Sequence, residues 1–114
     1  MSTKYRVLIV DDEPLALDVL ETFIQRVEGL ELVGRCENGI QAFNLLQKGG
    51  VDLLFLDILM PDSTGFDLLN QLQKRTFEVI LVTGFEQFAL QAFEHSVIDY
   101  VLKPIDKDRF CSAV

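Results

Sequence analysis

Tryptophan is absent from the 114-residue chain, and cysteine and basic residues are scarce. The two cysteines, Cys36 and Cys111, do not make a disulfide framework, and no Cys-x-x-Cys or Cys/His pair indicates zinc. Ten Lys and Arg against 18 Asp and Glu give a net charge of −8, which argues against direct binding to a nucleic-acid backbone. No apolar run approaches the roughly 20 residues of a membrane span, and the few residues before Arg6 form no signal peptide. We therefore expect an acidic, cytoplasmic domain without a membrane segment.

Apolar residues make up 49% of the chain, which argues against intrinsic disorder and fits one domain with its own core. Five short apolar runs are each followed by a helical pattern. The runs predict strands at residues 7–10, 30–36, 53–56, 79–82 and 100–102. In the first helix the apolar face is predicted to contain Leu15, Ala16, Val19, Leu20, Phe23, Ile24 and Val27. The second helix is predicted to begin after an Asn38 cap, and the last to start near residue 106 and to be cut short.

Strands that alternate with helices through short connections indicate right-handed βαβ units and a parallel sheet. Ligands of such sheets bind beyond the carboxyl ends of the strands. The residues that leave the predicted strands at this edge are Asp11, Asp12, Glu13, Asp57, Thr83 and Lys103.

Carboxylates brought this close together repel one another unless a cation lies between them. Two or three carboxylates with water suit Mg²⁺, and a carboxylate on Mg²⁺ can attack phosphorus to give an aspartyl phosphate. Lys103 would then neutralise one phosphoryl oxygen, and the Thr83 hydroxyl would donate to another. Gly84 would leave space beside the site for a phosphodonor.

Four motifs in order resemble the receiver domain of two-component response regulators, over essentially the whole chain. They are Val10-Asp11-Asp12-Glu13-Pro14, Leu56-Asp57-Ile58-Leu59-Met60-Pro61 with Gly65, Val82-Thr83, and Tyr100-Val101-Leu102-Lys103-Pro104. Each motif alone is weak, but the four together at this spacing are highly specific. The resemblance implies a doubly wound, flavodoxin-like (βα)5 fold with helices on both faces of a parallel sheet in strand order 2-1-3-4-5.

The resemblance also implies a role for each site residue. Asp57 would be the phosphoacceptor, and Asp12 and Asp57 would bind Mg²⁺ directly, with Mn²⁺ as a substitute. Asp11 would act through a water molecule, and the Leu59 carbonyl would be a further ligand. Lys103 would pair with the phosphoryl group.

Three further expectations come from the same resemblance. Lys103 would be joined to Pro104 by a cis peptide. Thr83 and Tyr100 would form a switch pair, in which the hydroxyl turns towards the phosphoryl group and the ring moves inward. Gly84 stands where alanine is more usual in the family.

The segment 85–94, with Asp99-Tyr100, is similar to LytTR-type (LytR/AlgR-type) regulators, in which a receiver precedes a DNA-binding domain. The chain would then be an excised or stand-alone receiver that reaches DNA only through an output domain outside it. The implied partners are a sensor histidine kinase and a second copy of the chain. The second copy would dock on the fourth helix, fifth strand and fifth helix.

Other interpretations remain open at this point. Residues 11–13 could be acids that favour a helix start. The chain could be a receiver-fold binding module that works without phosphorylation, although such a module would be expected to lack an acid or the lysine. A magnesium-dependent phosphatase of the haloacid-dehalogenase type is disfavoured because position 59 is leucine where that family has aspartate. No external substrate turnover is expected, and neither Gly-x-Gly-x-x-Gly nor a P-loop is present.

Overall fold

Strands and helices alternate strictly along the part of the chain described by the computed structural model, residues 4–72 and 75–114. The elements are β1 (Tyr5–Val10), α1 (Pro14–Arg26), β2 (Leu30–Cys36), α2 (Gly39–Gln47), β3 (Leu53–Leu56), α3 (Gly65–Gln71), β4 (Glu78–Thr83), α4 (Ala89–Phe93), β5 (Asp99–Leu102) and α5 (Lys107–Ala113). All five predicted strands are present, and their bounds differ from the prediction by at most two residues.

The strands form one parallel sheet in the order β2-β1-β3-β4-β5. The doubly wound fold that the resemblance implied is therefore confirmed. β3 is buried at all four positions, as a continuously apolar strand covered on both faces should be. β2 lies at the edge of the sheet, and its alternating sequence gives alternating exposure.

Residue parity sorts the sheet side chains between two cores, because successive side chains of a strand point to opposite faces. On one face, Leu8, Leu54, Leu56, Val79 and Leu81 pack with α2, α3 and Ala92 of α4. On the other, Val7, Ile9, Phe55, Ile80 and Val82 pack with α1 and with Phe110 of α5. The two layers of helices thereby cover both faces of the sheet and leave its carboxyl edge open.

Polar side chains define where three helices begin. Asn38 accepts a hydrogen bond from the Gln41 amide at 2.9 Å, so the predicted cap of α2 is confirmed. Thr64 and Asp67 form a reciprocal capping box at the start of α3. Asp106 caps α5 through the Arg109 amide.

The apolar face predicted for α1 is partly wrong. Leu15 is 79% exposed and Val19 is 42% exposed, whereas Leu17, which was not predicted, is 1% exposed. Leu17, Leu20 and Ile24 recur at helical spacing and face the sheet, so Leu15 and Val19 lie on the flank that turns away from it. α1 has more apolar residues than one helix face can hold, so its sequence fits two overlapping apolar faces. Only packing against the sheet shows which of the two is buried.

Residues 85–94 contain a loop and a helix, α4, which comprises Ala89–Phe93. Residues 85–88 form the turn that leads from β4 into it. Among the described residues, no helix has the length and apolar character needed to cross a membrane.

Candidate functional site at the carboxyl edge of the sheet

The four strand ends that carry chemistry meet at one edge. β1 delivers residues 11–13, β3 delivers Asp57, β4 ends in Thr83, and β5 leads to Lys103. The carboxylates of residues 11, 12, 13 and 57 offer ligand atoms that all lie within 4.8 Å of one another. Asp11, Asp57 and Thr83 are 1%, 5% and 0% exposed, respectively, so polar groups are buried here although the other buried side chains described are apolar.

Backbone hydrogen bonds continue past the strands and fix the positions of these residues. The Asp57 amide donates to the Val10 carbonyl at 3.0 Å, and the Lys103 amide donates to the Thr83 carbonyl at 2.8 Å. The Lys103–Pro104 peptide is cis, as the resemblance implied. The backbone hydrogen bonds of the sheet therefore extend to the first residue after β3 and after β5, and they fix the backbone from which the Asp57 and Lys103 side chains project.

The Lys103 ammonium lies among three carboxylates. Its Nζ is 2.7 Å from Asp11 Oδ2, 2.9 Å from Glu13 Oε1 and 3.2 Å from Asp57 Oδ2. Glu13 occupies the N-cap position of α1 but makes no side-chain capping bond there. Its carboxylate is bonded to Lys103 instead, which argues against the interpretation of this acid as a simple helix-start residue.

Burial and repulsion perturb the titration of the site. Burial, reinforced by the Asp11 charge and offset in part by Lys103, raises the pKa of Asp57 to about 6. Burial and the Asp11 charge also raise the pKa of Asp12. For Lys103, burial lowers the pKa, but hydrogen bonding to Asp11 and Glu13 and the charges of Asp57 and Asp11 outweigh it and raise the pKa overall.

The acidic cluster fits a divalent cation. Asp11 Oδ2 is buried, and the Lys103 ammonium that lies 2.7 Å from it is shared with Glu13 and Asp57. One ammonium cannot neutralise four carboxylates, and buried charge that is not neutralised is costly. An oxygen-liganded ion such as Mg²⁺ would supply the missing positive charge.

Thr83 and Tyr100 are linked through a common neighbour that sequence reasoning missed. The Phe85 amide donates to the Thr83 hydroxyl oxygen at 3.4 Å, and the Tyr100 hydroxyl donates to the Phe85 carbonyl. The β4–α4 turn thus connects the buried hydroxyl at the site with the half-buried ring on β5. No local pattern could have indicated Phe85, because its part in this link is played by the backbone.

Leu59, the predicted carbonyl ligand, lies in the β3–α3 loop that follows Asp57. An isolated bridge pairs Leu59 with Thr64, and the Gly65 amide donates to the Ile58 carbonyl at 2.6 Å. Asp62 at the tip of this loop bonds to the start of α2, a second contact that sequence reasoning missed. The Asp62 partners stand 22 and 23 residues earlier in the chain, too distant for any sequence spacing to reveal them.

Comparison with known proteins identifies the family that this fold and site define. The response regulator receiver domain matches residues 7–114. The chain therefore belongs to the response regulator receiver domain family, as its motifs predicted.

Two curated relatives show where in the family it lies. Over 106 residues, 91% of this chain, it is 42% identical to the transcriptional regulatory protein BtsR of Escherichia coli K12. It is 40% identical to the sensory transduction protein LytT of Bacillus anthracis, also over 91% of its length. The predicted likeness to LytT-type regulators is confirmed. The chain spans 44% and 43% of the lengths of these two relatives.

Solved structures agree with the fold. The response regulatory domain of mrkE from Klebsiella pneumoniae superposes with a TM-score of 0.88 at 33% identity, covering 95% of this chain and 90% of that one. The signal receiver domain of NarL from Mycobacterium tuberculosis has a TM-score of 0.89 at 22% identity, with 97% and 93% covered, which shows the shared fold.

Proposed function

We propose that this chain is a phosphorylation-controlled switch in which Asp57 accepts a phosphoryl group from the phosphohistidine of a sensor histidine kinase. The single observation that carries the proposal is the position of the buried Asp57 carboxylate. It lies 3.2 Å from the Lys103 ammonium, and one of its oxygens lies within 4.8 Å of a carboxylate oxygen of each of Asp11, Asp12 and Glu13. A carboxylate in such surroundings is costly to keep for stability alone, which supports a functional role.

Asp12 and Asp57 would bind Mg²⁺ directly, Asp11 would bind it through water, and Leu59 would offer its carbonyl; Mn²⁺ would serve as a substitute. When bound, the ion neutralises the repelling acids and the phosphoryl oxygens. The excess of clustered carboxylates over the Lys103 ammonium that they share supports this assignment.

The protein groups have separate parts in the transfer. An Asp57 oxygen forms a bond to phosphorus as the bond from phosphorus to the imidazole nitrogen of the donor breaks, and the imidazole leaves as the neutral product after protonation. Lys103, which contacts Asp57 in the unphosphorylated state, pairs with a phosphoryl oxygen. The Thr83 hydroxyl donates to another oxygen, and its turn towards the phosphoryl group would weaken the 3.4 Å bond that it accepts from the Phe85 amide.

The link from Thr83 to Tyr100 would carry the signal. The Thr83 hydroxyl accepts from the Phe85 amide, so its movement would shift residue 85. The Tyr100 hydroxyl donates to the Phe85 carbonyl, so the same shift would break that hydrogen bond. Release of that bond lets the ring turn inward, and the surface formed by α4, β5 and α5 then favours a homodimer or an output domain.

In a longer parent protein, the receiver would precede a LytTR-type domain that binds DNA. The curated relatives are more than twice as long as the match, and one of them is named a transcriptional regulatory protein. The setting would be cytoplasmic, the receiver itself would not contact DNA, and it would turn over no external substrate. The alternative, a binding module that needs no phosphate, is disfavoured because Asp11, Asp12, Asp57 and Lys103 are all assembled at the site.

Incubation with acetyl phosphate and Mg²⁺, followed by intact-mass spectrometry, tests the proposal. We expect one acid-stable, base-labile phosphoryl adduct, reduced without Mg²⁺ and absent in Asp57→Asn. Asp52→Asn is the matched control, because it removes another acid, one that precedes β3 at the opposite edge of the sheet, and leaves the site untouched. An unmodified wild-type chain, or an adduct that persists in Asp57→Asn, would refute the phosphoacceptor assignment.

Lys103→Ala should separate phosphoryl transfer from metal binding. Its ammonium contacts the nucleophile, so its loss should slow adduct formation by about 100-fold, the scale of one removed electrostatic partner. Binding of Mg²⁺, measured by calorimetry, should be retained, since the loss removes a competing cation. Loss of Mg²⁺ binding in Lys103→Ala would contradict the role assigned to this residue.

A further inference from the structure

The β3–α3 loop, residues 57–64, is fastened at both its base and its tip. At the base, Leu59 pairs with Thr64, the Met60 amide donates to the Ser63 carbonyl at 3.2 Å, and α3 begins with the Thr64 capping box. At the tip, a side chain of the loop bonds to the start of α2. The predicted metal ligand Leu59 therefore lies at the fastened base of the loop, three residues before Asp62 at its tip.

Asp62 makes the contact at the tip. Its Oδ1 accepts from the Gly39 amide and its Oδ2 from the Ile40 amide, each at 3.0 Å. These are two of the amides that a helix leaves without an internal partner, and Asn38 serves a third, at Gln41. The bonds from Gly39 and Ile40, together with those from its own amide and Ser63, hold the pKa of Asp62 below its ordinary value although burial opposes them.

The close approach of the loop to α2 is built into the sequence at residue 39. A Cβ added to Gly39 would stand 2.5 Å from the Ser63 hydroxyl oxygen and 3.6 Å from both carboxylate oxygens of Asp62. The loop tip thus occupies the space that any other side chain at residue 39 would fill. A bidentate carboxylate and a matching glycine make a specific contact rather than a chance surface bond.

We propose that Asp62 is a positioning residue, which holds the β3–α3 loop on the start of α2 and so places the Leu59 carbonyl for Mg²⁺. The inference rests on the proposed metal site. Asp62 stands three residues beyond Leu59 and makes no contact with the acidic cluster among the bonds described, so it acts on the metal only through the loop. Without the latch, the loop would sample other conformations, and Mg²⁺ would lose one preorganised ligand.

The test compares Asp62→Asn and Asp62→Ala with wild type by calorimetric titration with MgCl₂ alone, by thermal unfolding, and by amide hydrogen exchange at Gly39 and Ile40. The matched control is Asp52→Asn. Asp52 is another acid that accepts from a backbone amide, that of Arg6 at 2.8 Å, but it precedes β3 at the opposite edge of the sheet. The Asp52→Asn substitution removes the same negative charge and alters the same kind of hydrogen bond, from a backbone amide to a carboxylate, without changing the β3–α3 loop.

We expect Mg²⁺ affinity to fall about tenfold in Asp62→Ala, by less in Asp62→Asn, and not in Asp52→Asn, the scale expected when a residue that orients a ligand is lost. Exchange at Gly39 and Ile40 should quicken in both Asp62 variants. Unchanged Mg²⁺ affinity in folded Asp62 variants with quickened exchange would overturn the proposal, since the contact would then only stabilise α2. An equal loss of affinity in Asp52→Asn would overturn it too. If wild type itself bound no Mg²⁺, the proposed metal site would fail, which is a different result.

Discussion

At the scale of single residues, Asp57 combines two opposed demands. As the proposed phosphoacceptor, it would have to be held in place by its buried surroundings and also be ionised to act as a nucleophile. Burial and the Asp11 charge disfavour ionisation and raise its pKa to about 6, while Lys103 limits the rise. The fold bears the free-energy cost of the ionised group unless a cation offsets its charge.

Replacement of Asp57 by Asn should therefore stabilise the metal-free protein at neutral pH. The folded-state pKa of Asp57 lies above its ordinary value of 3.8, so the group favours folding below that value and loses this contribution as pH rises through about 6. We expect Asp57→Asn to gain about 1–3 kcal/mol near pH 7.5 and almost nothing near pH 4, from a shift of about two pKa units.

Urea unfolding at the two pH values, with and without Mg²⁺, measures this. Saturating Mg²⁺ should reverse the order at neutral pH, because it binds the folded wild type and not the variant. A variant that is less stable than wild type near pH 7.5 without Mg²⁺ would contradict the picture of a strained carboxylate.

Two glycines near the site should respond in opposite ways to a methyl group. A Cβ at Gly65 would meet the Asp57 carbonyl oxygen at 2.6 Å and Leu56 side-chain atoms at 3.2 Å, whereas at Gly84 it would meet nothing within 4 Å. We expect Gly65→Ala to cost about 2–3 kcal/mol and Gly84→Ala to gain about 0.5 kcal/mol by restricting the unfolded chain. Equal effects in urea unfolding would show that the approach of Gly65 to Asp57 is not a constraint.

At the scale of elements, α5 depends on tertiary contacts. It has seven residues, too few to be stable as an isolated helix. Phe110, fully buried, packs with ring centroids 5.4 Å from Phe55 and 5.3 Å from Phe23, and Arg109 makes a bidentate pair with Asp99 of β5. The packing of the Phe110 ring and the ion pair between Arg109 and Asp99 therefore hold α5 against the sheet.

Phe110→Ala should cost about 3–5 kcal/mol and loosen α5 as a unit, because it empties the centre of the core on that face. Arg109→Ala should cost about 1 kcal/mol or less, since its pair with Asp99 is partly exposed to solvent. Urea unfolding gives both values, and exchange of the α5 amides shows whether the helix detaches. A larger loss in Arg109→Ala than in Phe110→Ala would reverse the assigned roles.

At the scale of the whole molecule, periodicity predicted the strands and the parallel sheet, strand-end chemistry predicted which side chains meet at its carboxyl edge, and the family resemblance supplied the strand order. β3 could be predicted because four consecutive apolar residues are buried on both faces, and Asp57 could be predicted because it follows them directly. The exposed flank of α1 could not, since Leu15 and Leu17 are equally apolar and only packing separates them. Asp62 and the Phe85 carbonyl were also out of reach, because a long-range bond or a backbone group leaves no spacing in the sequence.

The acidic residues of the molecule fall into groups with different surroundings. Of the 18 acidic residues, four converge at one edge of the sheet, and two of those, Asp11 and Asp57, are buried. Asp52, Asp62 and Asp99 are instead held by hydrogen bonds that lower their pKa values. The local arrangement of the charge, rather than its total of −8, is what marks the site.

The most direct test of the central claim is to find which residue carries the phosphoryl group. Borohydride reduces an aspartyl phosphate to homoserine, so treatment of the chain after incubation with acetyl phosphate and Mg²⁺ leaves a permanent mark that peptide mass spectrometry can place. The account predicts homoserine at position 57 and at no other position, with none formed when the phosphodonor is omitted. Homoserine at Asp11, Asp12 or any surface acid, or an unmodified Asp57 in a chain that has gained phosphate, would contradict it.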